Sequence, residues 1–292
     1  MPTKSIKGWR WARLDVSRGE VAGRFARRAV YKGLLGACVC AGVGLCDVAD
    51  VHAQSRRVGS DYISRPLVLP EGVLRIDGGP RRPYSGGQVM PGGQLQFLIN
   101  DGSDDVALLV PGAGIGVIDK LELGAVWPLL LSPELDLSDL SVYGKYSLQR
   151  GDVEVAGFAE LRIPVQDVLE LTGGVPVYVH LDGARIETGG FIRFTFGEDV
   201  AGTGDDAAAT IHVPVSVPIQ VSPEVFVGPE IGVEIQDFDN VALPVGVIAG
   251  YTLGGGISSI GDLFARFALA DITSGADTIR FDVGAEIFFD IF

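Results

Sequence analysis

Between residues 210 and 235, apolar and polar side chains change places at almost every step. Ile211, Val213, Val215, Val217, Ile219 and Val221 alternate with Thr210, His212, Pro214, Ser216, Pro218 and Gln220. After Ser222-Pro223-Glu224 the pattern resumes, with Val225, Val227, Pro229, Ile231, Val233 and Ile235 set against Phe226, Gly228, Glu230, Gly232 and Glu234. A period of two marks a β-strand with one apolar and one polar face. A strand tilted by about 45° needs roughly 9–11 residues to cross the hydrocarbon of a bilayer, and each run here reaches that length. The pattern predicts a hairpin long enough to span a membrane.

Similar pairs recur along the chain. Residues 107–117 and 121–131, 140–149 and 153–165, 169–180 and 185–196, and 241–253 and 257–270 read as further hairpins, and 278–292 as a last strand. A weaker first strand falls within 67–78. Residues 79–105 are rich in glycine and proline and read as loop, with a short strand at 94–99. Links of three or four residues join the members of each pair, and mostly longer links at 132–139, 197–209, 236–240 and 271–277 join one pair to the next. An all-β, antiparallel transmembrane β-barrel of about twelve strands has this layout, with short turns at one end and long loops at the other. With both termini on the periplasmic side, an even strand count puts 118–120 at that side and 79–105 outside.

Charge sorts by parity. One face carries Leu121, Leu123, Ala125, Trp127 and Leu129, Val153, Val155, Leu161 and Ile163, and Ile279, Phe281, Val283 and Ile287. The other carries Glu122, Lys145, Glu154, Glu160, Arg162, Arg185, Glu187, Arg193, Glu230, Glu234, Asp262, Arg266, Arg280, Asp282 and Glu286. An Arg or Lys on the lipid face near the midplane costs about 2–4 kcal/mol, so a membrane barrel demands this segregation. Prolines at 111, 128, 164, 176, 214, 218, 229 and 244 interrupt it. Proline cannot donate to a ladder and marks edges, strand ends or bulges, so an irregular or strongly curved barrel is expected.

The N-terminus accounts for an unusual pairing of positive mean hydropathy, +0.31, with a net charge of −14. The first 53 residues hold nine basic and four acidic side chains, which leaves the remainder at −19. The last basic residue of this region is Lys32; an apolar run from Gly33 to Cys46 and small residues at Val51 and Ala53 follow. Basic region, apolar region and small-residue cut site make 1–53 a cleaved secretory signal peptide. It is too short in its apolar part for a spanning helix, which needs about 20 residues. All three cysteines lie in it, so no disulfide or cysteine-based metal site is expected downstream. Residues 54–66 then read as a polar periplasmic lead-in and 67–292 as the barrel.

The segment from Gly112 to Leu131, GAGIGVIDKLELGAVWPLLL, with its tight Asp119-Lys120 turn, and the terminal Phe292 resemble the outer-membrane β-barrel proteins of Gram-negative bacteria, the porin-like and transporter-like group. That resemblance implies residence in the bacterial outer membrane, contact with its lipid, and delivery by the barrel-assembly machinery, which reads Phe292 as an assembly signal. It implies passive passage or facilitated uptake of small solutes without enzymatic chemistry. A homo-oligomer is compatible with the group, and nothing points to nucleic acid.

Glu122, Lys145, Glu154, Glu160, Arg162, Arg185, Glu187, Arg193, Glu230, Arg266, Arg280 and Glu286 are the candidate lumen-lining residues, because charged side chains facing a pore tune its selectivity. Acids outnumber bases on the polar face, which favours cations weakly. About twelve strands leave a lumen that side chains can fill, so an open pore and a salt-bridged plug both remain open. A structural or adhesive barrel with a blocked lumen and a soluble secreted β-sandwich are the alternatives. The glycines at 112, 114 and 116 lack the following helix of a nucleotide site and suit a crowded lumen. His180 and His212 fall on the polar face. Ser216 lies roughly 13 Å along the strand from His212, too far for a catalytic dyad. No cofactor or metal site is expected, and the acidic stretches 100–105 and 197–206 read as solvated loops.

Overall fold

The computed structural model describes residues 58–59, 61–77, 82–84, 88–90, 94–100, 106–132, 136–137, 140–163, 169–200, 205–238, 240–254, 261–269, 271–273 and 278–291. Twelve wall strands form one antiparallel sheet. β1 comprises Val73–Asp77 and Gln94–Asn100, β2 Val106–Val110 and Gly112–Ile118, and β3 Leu121–Val126 and Leu129–Ser132. β4 is Leu140–Gln149, β5 Val153–Ile163, β6 Leu169–Leu181 and β7 Ala184–Val200. β8 comprises Asp205–Ser216 and Ile219–Gln220, β9 is Val225–Gln236, and β10 comprises Asn240–Ala242 and Val245–Leu253. β11 is Gly261–Leu269 and β12 Thr278–Asp290.

β12 closes the sheet on β1. Val73 pairs with Asp290 and Ile76 with Ile287, while Gln94 pairs with Gly284 and Asn100 with Thr278. Closure leaves no sheet edge, the condition under which strands satisfy their backbone groups in lipid. The 16 residues between the two parts of β1 form an insert. It carries a short hairpin, Arg82–Tyr84 with Gln88–Met90, whose backbone lies against β8 and β9 on the far side of the bore. This corrects the expectation of an external loop over 79–105. Part of that stretch, Gln94–Asn100, is wall, and the hairpin reaches across the barrel.

Local chemistry explains where strands turn and break. At the β6–β7 turn Leu181 pairs with Ala184 around Asp182-Gly183, and Gly183 adopts a φ of +73°, the left-handed region an Asp-Gly turn uses. Prolines split the wall: β2 breaks at Pro111, β3 at Trp127-Pro128, β8 at Val217-Pro218 and β10 at Leu243-Pro244. Pro176, Pro214 and Pro229 stay within strands. Pro176 and Pro214 each face a glycine, Gly189 and Gly232, in the neighbouring strand. Pro164 lies outside the described residues.

The sorting of faces is that of an inside-out protein. Leu171, Val213, Ile231, Val247, Leu263, Phe281 and Val283 are exposed on the outer surface. Glu122, Arg185, Asp262 and Asp282 point inward and are wholly buried. A soluble protein does the reverse with its charges. The sandwich alternative is excluded by the same geometry, because the main sheet closes on itself and, among the described residues, no second sheet packs on its apolar face.

Candidate functional site

The bore is occupied by the chain's own N-terminal segment. Residues 58–69 precede β1 and, among the described residues, pair with no strand. They cover much of the stretch, 54–66, expected as a periplasmic lead-in. A single 3-10 turn at Tyr62–Ser64 is capped by Asp61, whose side chain accepts from the Ser64 N–H. The segment's apolar side chains Val58, Tyr62, Leu67, Val68 and Leu69 are all buried. Tyr62 stacks on Phe226 of β9 with ring centroids 3.7 Å apart and planes within 10°. Leu67 and Val68 pack on Ala156 and Tyr178, and Val58 and Leu69 on Phe288. Each such side chain stabilises its burial by about 1.5–3 kcal/mol.

Charged wall residues hold the segment's polar groups. Arg185 Nη1 donates to the carbonyls of Ile63, at 3.3 Å, and Arg65, at 2.8 Å. Its guanidinium lies between the rings of Tyr62 and Tyr178, 4.9 and 4.4 Å from their centroids. Lys145 Nζ donates to the Leu67 carbonyl at 2.9 Å. The N–H groups of Leu67 and Leu69 donate to Glu154, at 2.8 Å, and Glu122, at 3.0 Å. Arg65 reaches across to β11, where Nε and Nη2 meet the two oxygens of Asp262 at 3.1 and 3.3 Å. His180 stands 3.0 Å from both the Ile63 carbonyl and Glu154.

Behind these contacts run two ion networks. In the first, Glu122 accepts from Arg75 and Tyr143 at 3.0 Å each on Oε1, and pairs with Lys145 at 2.7 Å on Oε2. In the second, Arg266 pairs with Glu230 at 2.7 Å and stands 3.9 Å from Asp282, which Arg280 also contacts at 3.0 Å. Arg185 pairs with Glu187 beside it. Buried ions are tolerated only where such partners offset the lost hydration.

Of the remaining candidate residues, Glu160 and Glu286 are buried on the inward side, Arg193 is half-buried, and Arg162 pairs with Glu170 at 3.0 Å. Phe292 lies outside the described residues. So do 101–105 and 201–204 of the two acidic stretches. Beside Leu67, Lys145, Phe158, Tyr178 and Phe191 a cavity of about 20 Å³ remains, room for about one water.

No family model matches the chain, and no curated protein matches it. Solved structures do. An outer membrane channel from Pseudomonas putida F1 superimposes with a TM-score of 0.51 at 10% identity, covering 83% of this chain and all of that one. The NanC porin superimposes with a TM-score of 0.50 at 10% identity, covering 67% of this chain and 99% of that one. This chain has the fold of the outer-membrane β-barrels. At such identity the likeness extends to the barrel and not to the residues within it.

Several residues that build the interior escape parity. Arg65 and Tyr62 come from a stretch with no alternation to read, Arg75 from a first strand whose pattern is weak, Phe226 is an aromatic among polar-face positions, and Tyr143 carries no charge to mark it. The glycines gave the one usable signal. A Cβ at Gly116 would overlap the Pro70 carbonyl, where the N-terminal segment leaves the bore, and one at Gly250 would overlap the Phe226 ring. Their bareness leaves room for the contents of the barrel.

Proposed function

We propose that the protein is a non-enzymatic channel of the bacterial outer membrane, passing small polar solutes passively or by facilitated uptake. The observation that carries this reading is a closed barrel whose outer face is apolar and whose interior holds buried charges of both signs from most of the wall strands. A purely structural barrel gains nothing from buried ions that an apolar filling would not supply, since replacing buried ion pairs by well-packed apolar groups is often neutral or stabilising. A path for polar solutes uses them directly. The proteins of like fold that are called a porin and an outer membrane channel support the reading. Glu122, Lys145, Glu154, Glu160, Arg162, Arg185, Glu187, Arg193, Glu230, Arg266, Arg280 and Glu286 line this path. Residues 1–53 direct export, and Phe292 presents the chain to the assembly machinery.

The filled bore favours one other reading, a structural or adhesive barrel acting through its loops. Planar-bilayer recording separates the two. Discrete current steps from folded protein support the channel; silence from folded protein under all voltages, with residues 58–69 present or deleted, supports the structural barrel.

A further inference from the structure

We propose that the lumen wall is a binding site for a short peptide, filled at rest by this chain's own residues 58–59 and 61–69, and that solute passes only when that segment leaves. This rests on the channel reading. The wall residues that hold the segment come from β3, β4, β5, β6, β7, β9, β11 and β12, so the contacts encircle the bore.

Their chemistry is that of peptide recognition. Arg185 and Lys145 donate to the carbonyls of residues 63, 65 and 67, while Glu154 and Glu122 accept from the N–H groups of 67 and 69. These are main-chain contacts, indifferent to sequence. Two side-chain anchors add selectivity: Tyr62 between Phe226 and Arg185, and Arg65 on Asp262.

The segment can leave without breaking the wall. It adds no rung to the barrel ladder, so its departure leaves all twelve strands paired. Its link to the wall is the turn at 70–72, where the Gly72 N–H donates to the Gly116 carbonyl at 2.9 Å and the Val73 N–H to the Pro70 carbonyl at 3.1 Å. The wall groups that hold its main chain, Arg185, Lys145, Glu154 and Glu122, are charged and can take water in exchange, while Phe226, Ala156 and Phe288 give up apolar contacts.

The test compares planar-bilayer currents of the full chain and a variant with residues 58–69 deleted, each confirmed as a folded barrel. A synthetic peptide of residues 58–69 is then added to the deletion variant. The expected result is a full chain that is mostly closed, a deletion variant whose mean current is at least about tenfold larger, and saturable block by the peptide. A peptide carrying Tyr62→Ala and Arg65→Ala should block about tenfold more weakly. Steady current from the full chain, unchanged by the deletion, overturns the gate while leaving the channel intact. A conducting deletion variant that the peptide does not block overturns the binding site. Silence from both folded proteins overturns the channel reading itself. If the deletion variant does not fold, Arg65→Ala in the full chain serves instead: the expected rise in open time is about tenfold, and an unchanged open time overturns the proposal.

Discussion

Glu122 and Lys145 are directly opposite one another on β3 and β4, and their side chains meet at 2.7 Å with less than a tenth of either exposed. The pair also binds the N-terminal segment, Glu122 through the Leu69 N–H and Lys145 through the Leu67 carbonyl. It therefore joins the wall to what fills it.

Glu122→Gln should destabilise the barrel by about 3–5 kcal/mol, because it leaves the buried Lys145 and Arg75 without the carboxylate they share. The double variant Glu122→Gln/Lys145→Met should lose less than Glu122→Gln alone. Urea unfolding followed by gel mobility of unheated samples checks both, and equal losses would show that the ion pair is not what holds the site.

The exterior makes a separate demand. Val247 sits midway along β10 and is about half exposed on the outer face. Val247→Arg should cost about 2–4 kcal/mol of stability in bilayers, the depth-dependent penalty of a cation on the lipid face. Folding equilibria in phospholipid vesicles measure it. A neutral result would mean that this surface does not meet lipid.

Glycine positions separate crowded from open regions of the wall. Gly116→Ala should destabilise by about 1–3 kcal/mol, since the new methyl group meets the Pro70 backbone rather than a movable side chain. Gly190→Ala has nothing within 4 Å and should be neutral or slightly stabilising. Heat-modifiability midpoints of the two variants give the comparison, and similar shifts would argue against residues 70–72 lying against β2.

Much of this was legible in the chain. The runs at 210–235 alternate so regularly that β8 and β9 follow from them, and charges such as Glu230 and Glu234 fall inward because a period of two fixes their side. The short strand expected at 94–99 is wall, but its continuity with Val73–Asp77 was hidden by the insert between them. Residues 58–69 were illegible for a physical reason. A segment that follows no lattice of its own takes its shape from partners, and Arg65 finds Asp262 at a separation of 197 residues. Tyr62 and Leu67 carry no local sign that they belong in a bore. Prolines announced interruptions, and four of the eight positions do break strands.

Ion selectivity follows from the interior. The expected reversal potential in a KCl gradient is a weak cation preference, as acids outnumber bases among the inward-facing charges, and Glu286→Gln should reduce it. An anion preference in the unaltered protein would place the conducting path elsewhere.

The central claim is a closed barrel resident in the outer membrane, and fractionation of the native envelope tests it most directly when each fraction is run on a gel with and without boiling. Recovery with the outer membrane, and migration that shifts on heating, is the predicted result. Recovery as a soluble protein with no such shift would contradict the barrel and every interior assignment that depends on it.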